Sequence, residues 1–203
     1  MKIICIGHNY VEHIKELNSA IPSEPVFFLK PDTSLIKDNQ PFYYPEFSKD
    51  IQHEVELVLK INKPGKNIQT KFANKYYDEI GIGIDFTARD IQAECKKKGL
   101  PWEKAKAFDG AAPIGKFVNK IQFGDEKNIN FYLNINGDTI QKGNTKDLLF
   151  SFDTIIAYVS IFFTLKTGDL IYTGTPQGVG PVKIGDRLEA YIENQKLLDF
   201  EIK

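Results

Sequence analysis

Three acidic side chains carry the strongest chemical signal in this sequence. Glu54 and Glu56 lie two apart in residues 53–61, with Val55, Leu57 and Leu59 at the alternate positions. That alternation is the period of a β-strand with one apolar face, so both carboxylates project from the same side. With a rise of about 3.3 Å per residue, their β-carbons stand roughly 6–7 Å apart. Like charges so placed repel, and carboxylates are rarely buried without a partner. A solvated strand face would satisfy them, and so would a hard divalent cation taking oxygen ligands. Asp85 ends a second apolar, glycine-bearing segment, residues 80–86. Alone it is a turn residue; beside the glutamates it is a third candidate oxygen ligand. Cys5 and Cys95 form no CxxC and no Cys/His metal spacing that would compete.

His13 and Glu16 form a second candidate pair. Residues 8–17 are compatible with a short helix, on which side chains three apart meet on one face. Such a face is ordinarily exposed and polar. It is also the arrangement in which a carboxylate orients an imidazole and stabilises its protonated form, as a general base requires. The glycine-rich residues 174–181 contain neither G-x-G-x-x-G nor G-x-x-x-x-G-K-[ST], so a nucleotide-phosphate cradle is not expected there.

These residues need elements to position them. Residues 2–6 read as a strand and 26–30 as an extended segment stopped by Pro31, followed by irregular chain over 32–50. A helix is expected over 70–77, then a strand over 80–86 whose glycines mark a bend or close backbone approach. Thr87 is placed to cap a helix over 88–98, with Gly99 as its stop. Lys96, Lys97 and Lys98 there complement the helix macrodipole. Residues 131–136 and 139–142 flank Gly137-Asp138 as a hairpin, and Ser151 caps an apolar helix running to about 163. Strands over 170–173, 187–192 and 197–202 complete a β-rich α+β domain spanning 1–203.

Composition narrows the function classes. A chain of 203 residues fits one domain, with 42% hydrophobic and 26% charged residues as in an ordinary globular protein. A net charge of -1 offers no electrostatic reason for a nucleic-acid partner. The first apolar run turns polar at His8-Asn9, too soon for a signal peptide, and no segment approaches the roughly 18 apolar residues of a membrane span. Two scattered cysteines fit a reducing compartment, and a soluble cytoplasmic protein with no membrane partner is expected.

The motifs also resemble a known family. His53-Glu54-Val55-Glu56-Leu57 is similar to the H-E-x-E-L metal motif of the fumarylacetoacetate hydrolase family, and residues 83–92, Gly-Ile-Asp-Phe-Thr-Ala-Arg-Asp-Ile-Gln, resemble its G-x-D-x-T-A-R-D-x-Q segment. Gly7-His8-Asn9-Tyr10, Phe28-Leu29-Lys30-Pro31, Lys98-Gly99-Leu100-Pro101-Trp102, Lys106-Ala107-Phe108-Asp109 and the Gly174–Pro181 run, Gly-Thr-Pro-Gln-Gly-Val-Gly-Pro, follow in family order. The compact, acylpyruvase-like branch is the nearest in pattern. The resemblance implies a mixed β-sandwich or roll, a homodimer, and a site for Mg²⁺, or Mn²⁺, with Ca²⁺ as a substitute, held by Glu54, Glu56 and Asp85. It also implies that His13-Ile14-Lys15-Glu16 is a lid dyad acting as general base, and that Lys106 stabilises developing negative charge on the substrate. Arg89 is implied either in substrate contact or in holding the ligand carboxylates. Gln92 is implied in binding substrate or a metal-bound water, and Thr175 in offering its hydroxyl and N–H to a substrate carboxylate. His53 is left a supporting role at most, and His8 stands where the acylpyruvases often have Arg.

The activity so implied is hydrolysis of a C–C bond in an acylpyruvate-like 2,4-dioxo acid, giving pyruvate and a carboxylic acid. The metal would act as a Lewis acid on the 2-oxo acid, with His13 activating water. The same site suits decarboxylation of oxaloacetate, or keto–enol or double-bond isomerisation of a related diacid such as 2-hydroxyhepta-2,4-diene-1,7-dioate. A catalytically silent metal-binding protein is the alternative from another class, and the intact His13, Glu16 and Lys106 argue against it.

Overall fold

The apolar alternations pair into a large sheet whose strand order is Val26–Lys30, Ile3–Gly7, Leu170–Tyr172, Val55–Ile61, Tyr77–Ile84 and Val118–Asn119. Within it only Ile3–Gly7 and Leu170–Tyr172 run parallel. The computed structural model of the chain describes residues 1–16 and 20–203, so Leu17, the last residue of the expected first helix, lies outside it. A second, antiparallel sheet has the order Asp138–Asn144, Asn130–Ile135, Arg187–Ile192 and Gln195–Glu201. Gly180–Pro181, Ile51–His53 and Thr87–Ala88 form a small three-stranded sheet. The fold is the expected β-rich α+β arrangement, with few helices; among the described residues none is long and apolar enough to cross a membrane.

The main core lies between the two larger sheets. Leu57, Leu59 and Ile61 share one buried cluster with Phe131, Leu133, Leu188, Ile192 and Phe200, and the Phe152–Phe162 helix adds Ile155, Ile156 and Val159. Ser151 caps that helix as expected, its side chain accepting the Thr154 N–H. The opposite face of the large sheet is also covered, by a smaller cluster of Ile3, Cys5, Val58, Leu170 and Tyr172. The alternation read on residues 53–61 holds, and the face that carries Glu54 and Glu56 is buried like the apolar one.

Several boundaries shift for identifiable reasons. The strand expected over 53–61 is interrupted at Glu54, which separates Ile51–His53 from Val55–Ile61. The helix expected over 70–77 is only Thr70–Ala73, because Tyr77 opens the strand that pairs with Val55–Ile61. The hairpin turn is Asn136-Gly137, one residue earlier than expected, and both residues have positive φ, 54° and 91°. That is the backbone a two-residue hairpin loop demands. The first helix is shorter than expected, Val11–Glu16, because the chain is still turning at His8, whose φ is 57°. The nominally irregular 32–50 stretch contains a short 3-10 turn, Asp32–Ser34, and Leu35–Ile36, which pairs with Ala112–Pro113.

Gly83 shows why this sheet needs glycine beside the acidic residues. It sits opposite Glu56, and a β-carbon there would lie 2.7 Å from the Tyr172 hydroxyl and 2.8 Å from the Pro113 carbonyl oxygen. Neither neighbour can retreat easily, one being backbone and the other a buried ring. Gly83→Ala is therefore expected to lower stability by about 1–3 kcal/mol, the usual cost of overpacking, measured as a reduced midpoint in urea unfolding.

Candidate active site

Strand register brings the three carboxylates together. Val55 pairs with Ile84 and Glu56 with Gly83, so the next positions, Glu54 and Asp85, face each other across the antiparallel pair. Directly opposed residues share a face, and so do residues two apart. The Asp85 N–H donates to the Glu54 carbonyl at 2.8 Å, which continues the ladder one step beyond the strands. One carboxylate oxygen from each of Glu54, Glu56 and Asp85 lies within 4.8 Å of the others. The three residues are 5%, 1% and 1% exposed, so the solvated-face alternative does not describe them.

Three cations are built around this cluster. The Lys106 ammonium bridges Glu54 Oε2 at 2.8 Å and Asp85 Oδ2 at 2.9 Å. Lys30, fully buried, places its ammonium 2.7 Å from Asp85 Oδ1 and also donates to the carbonyls of Phe86 and Lys106. Arg89 donates to Glu54 Oε1 at 2.5 Å, to Gln92 Oε1 at 2.7 Å and to Gln52 Oε1 at 2.9 Å. Of the two roles considered for Arg89, its guanidinium is thus arranged for holding a carboxylate. Thr87 does not cap the following helix, Arg89–Lys98; its hydroxyl donates to Glu54 Oε1 at 3.1 Å. Gly99 ends that helix as expected, in the left-handed conformation.

Charge is shared unevenly among the carboxylates. Burial pushes the Glu54 carboxyl up, but Lys106 and then Arg89 outweigh it and hold it well below the usual carboxylate range. Glu56 goes the other way: burial, then the like charges of Asp85 and Glu54, raise it well above that range. Its support is the Gly174 N–H, which donates to Oε2 at 2.7 Å. For Lys106, burial favours the neutral amine, yet Asp85 and Glu54 win and raise its pKa. Asp85 Oδ1 has its lysine close by but no directed hydrogen bond. A buried set of oxygen-only donors, with one carboxylate uncompensated and another oxygen unbonded, fits a hard divalent cation.

His13 stands at the same cleft. Its Nδ1 is 2.9 Å from Glu16 Oε2, and because a carboxylate only accepts, Nδ1–H is the donor and Nε2 is left for the cleft. Glu16 is in turn held by the Gly178 N–H, at 3.1 Å from Oε1. Of the residues given a role from the sequence, His13, Glu54, Glu56, Asp85, Arg89, Gln92, Lys106 and Thr175 line this one cleft, with Glu16 supporting from behind. His8, Phe28, Lys96 and Trp102 join them without a role assigned from sequence. His53 is turned elsewhere, bonded through Nδ1 to Gln141 Oε1 at 2.9 Å.

Sequence reasoning missed Lys30, Thr87 and Gln141 as parts of the site. For Lys30 there was a signal, a charged residue closing the apolar run Val26–Lys30 just before Pro31. Gln141 gave none, lying in an otherwise polar, exposed stretch.

Two measurements test this charge arrangement. Lys30→Met strips a buried carboxylate of a partner and is expected to cost about 3–5 kcal/mol in chemical unfolding. Glu56 has a folded pKa above its unfolded value, so its contribution to stability is full below about pH 4.3 and is lost as pH rises through the folded value. Glu54 has the opposite sign: its contribution is present above that pH and is lost on acidification. Glu56→Gln is accordingly expected to raise the melting temperature of the protein in EDTA at pH 7.5, whereas Glu54→Gln lowers it.

Comparisons with known proteins find relatives over nearly the whole chain. The profile of the fumarylacetoacetate (FAA) hydrolase C-terminal family matches residues 2–202. The oxaloacetate tautomerase FAHD1, mitochondrial, of Mus musculus is 43% identical over 201 residues, 99% of this chain and 91% of that protein. The oxaloacetate tautomerase YcgM of Escherichia coli (strain K12) is 43% identical over 197 residues, 97% of this chain and 90% of that protein. The crystal structure of fumarylpyruvate hydrolase from Pseudomonas aeruginosa in complex with Mn²⁺ and pyruvate matches at a TM-score of 0.94 and 33% identity, covering 100% of this chain and 89% of that one. A match from residue 2 to residue 202, at more than 40% identity to proteins covered over nine-tenths of their length, makes the assignment plain: the chain belongs to the fumarylacetoacetate hydrolase family.

Proposed function

We propose that this chain is a divalent-metal-dependent enzyme that interconverts the keto and enol forms of oxaloacetate. The observation that carries the proposal is the single cleft in which three buried carboxylates face a glutamate-oriented histidine and a buried ammonium. The likeness to two oxaloacetate tautomerases supports the choice of substrate.

Glu54, Glu56 and Asp85 are the residues that would hold Mg²⁺ or Mn²⁺. When bound, the cation supplies Lewis acidity that favours negative charge on a 2-oxo oxygen. His13 Nε2 takes a proton from C3 of the keto acid, while Glu16 holds the ring by Nδ1 and stabilises its positive charge. The proton is returned to the enolate oxygen to give the enol, or to C3 to restore the ketone, so the exchange balances without another reactant. Lys106 brings positive charge to the enolate, and the Thr175 hydroxyl donates to the substrate carboxylate. Arg89 keeps Glu54 in place.

A second reading, hydrolysis of an acylpyruvate to pyruvate and a carboxylic acid, is favoured by the same dyad. A histidine backed by glutamate suits removal of a proton from water, and the match to fumarylpyruvate hydrolase supports it. The two readings share the enolate and differ in the bond that changes.

The deciding experiment follows oxaloacetate enol absorbance and pyruvate release from oxaloacetate and acetylpyruvate, with Mg²⁺, with Mn²⁺ and with EDTA. Metal-dependent keto–enol exchange without pyruvate release is expected. Pyruvate release from acetylpyruvate would favour the hydrolase, and no turnover despite bound metal would leave a silent binding protein. His13→Ala is expected to reduce turnover by about 10²–10⁴-fold while leaving metal affinity unchanged by calorimetry. Unchanged turnover would remove His13 from the mechanism.

A further inference from the structure

We infer that Gln141 is a positioning residue for substrate binding, fixing the Thr175 hydroxyl as a hydrogen-bond donor to an acceptor-only oxygen of the bound oxo acid. The inference rests on the reading of the cleft as an oxo-acid site. Gln141 is 1% exposed and comes from the Asp138–Asn144 strand of the second sheet. It reaches two segments far away in sequence.

All four of its hydrogen-bonding positions are used, and two of the partners fix which way the amide faces. The Val55 N–H can only donate, and it lies 3.0 Å from Oε1. The Pro176 carbonyl can only accept, and it lies 2.9 Å from Nε2. With the amide so oriented, His53 Nδ1, 2.9 Å from Oε1, carries a hydrogen and donates it. The remaining Nε2 hydrogen goes to Thr175 Oγ1 at 2.9 Å. Thr175 therefore spends a lone pair on Gln141. Its own hydroxyl hydrogen has, among the described residues, only the Pro176 carbonyl at 3.5 Å, at the limit of a hydrogen bond. Thr175 lines the cleft, so the stronger acceptor for that hydrogen is an anion bound there.

The three donors then run in one direction, His53 to Gln141 to Thr175 to ligand. In a buried setting such a chain polarises its last member, which strengthens donation to a carboxylate or enolate oxygen. With one lone pair already taken by Gln141 and its hydrogen without a close protein acceptor, Thr175 offers that hydrogen first, which favours an acceptor oxygen of the ligand. The same side chain tethers the backbone between Glu54 and Glu56 through Val55, so oxygen donors and anion contact share one anchor.

The test is a double-mutant cycle read out as pyruvate affinity of the Mg²⁺-loaded protein by calorimetry, and as KM against kcat for oxaloacetate. Thr175→Val and Gln141→Leu are each expected to weaken pyruvate binding and raise KM roughly tenfold, with kcat changed far less. The double variant is expected to stay near tenfold, because both changes remove one interaction. An additive, hundredfold loss, or an unchanged KM in Gln141→Leu, would overturn the inference. Should Gln141→Leu fail to fold, the nitrogen-15 spectrum of the unmodified protein decides: His53 protonated on Nδ1 supports the relay, and a ring protonated on Nε2 alone overturns it. Absence of pyruvate binding by the unmodified protein would overturn the oxo-acid reading itself, whereas normal binding with indifferent variants overturns only the relay.

Discussion

Burying three carboxylates side by side is the constraint on which the rest of this structure depends. Each loses its hydration, and each repels the other two; the cost is several kcal/mol per ion unless opposite charge is packed against it. Lys30, Lys106 and Arg89 are that opposite charge, drawn from three separate stretches of chain. They are not spread evenly. Glu54 meets two of them and Asp85 two, while Glu56 leans on a backbone N–H. The opposite charge is therefore concentrated on Glu54 and Asp85, and among the described residues Glu56 is the carboxylate of the three with no cation in direct contact.

The surrounding architecture serves that cluster. The pairing of Val55–Ile61 with Tyr77–Ile84 sets the faces, and Gly83 keeps the space opposite Glu56 free of a side chain. One loop then touches each chemical component in turn. The Gly174 N–H holds Glu56, the Thr175 hydroxyl meets Gln141, and the Gly178 N–H holds Glu16 and through it His13. Gly178 has a φ of 95°, and a β-carbon there would sit 2.8 Å from the Ile140 carbonyl oxygen, so the loop can lie this close to the second sheet only with glycine. The glycine-rich run, where no phosphate cradle was expected, is a backbone clamp shared by the acidic cluster and the His13–Glu16 pair.

How much of this was legible depended on how local the cause was. The alternation around Glu54 and Glu56, the Ser151 cap and the Gly99 stop are decided within a few residues, and the structure keeps them. The break at Glu54, the early end of the Thr70–Ala73 helix and the fate of Thr87 depend on partners across the sheet. No window of sequence holds that information. Lys30 acts on Asp85 from 55 residues away, by the difference of their numbers, and Gln141 acts on His53 from 88. Polar side chains of that kind look like surface until the fold closes over them. The family motifs pointed to Glu54, Glu56 and Asp85 and even contain Lys30, but they do not say what that lysine touches, and they leave Gln141 out.

The strand register has a further consequence, for how this chain can vary in length. Because side chains alternate with a period of two, adding or removing one residue between Gln52 and Leu57, or between Ile82 and Asp85, would turn the carboxylates into the core and set Val55 or Ile84 in the cleft. Length is frozen there in a way that composition is not. The connection from Asn62 to Tyr76 joins the far ends of the same two strands, away from the acidic cluster. A change of length there leaves the facing of the acidic residues unaltered, whereas one residue more or less at the other end reverses it.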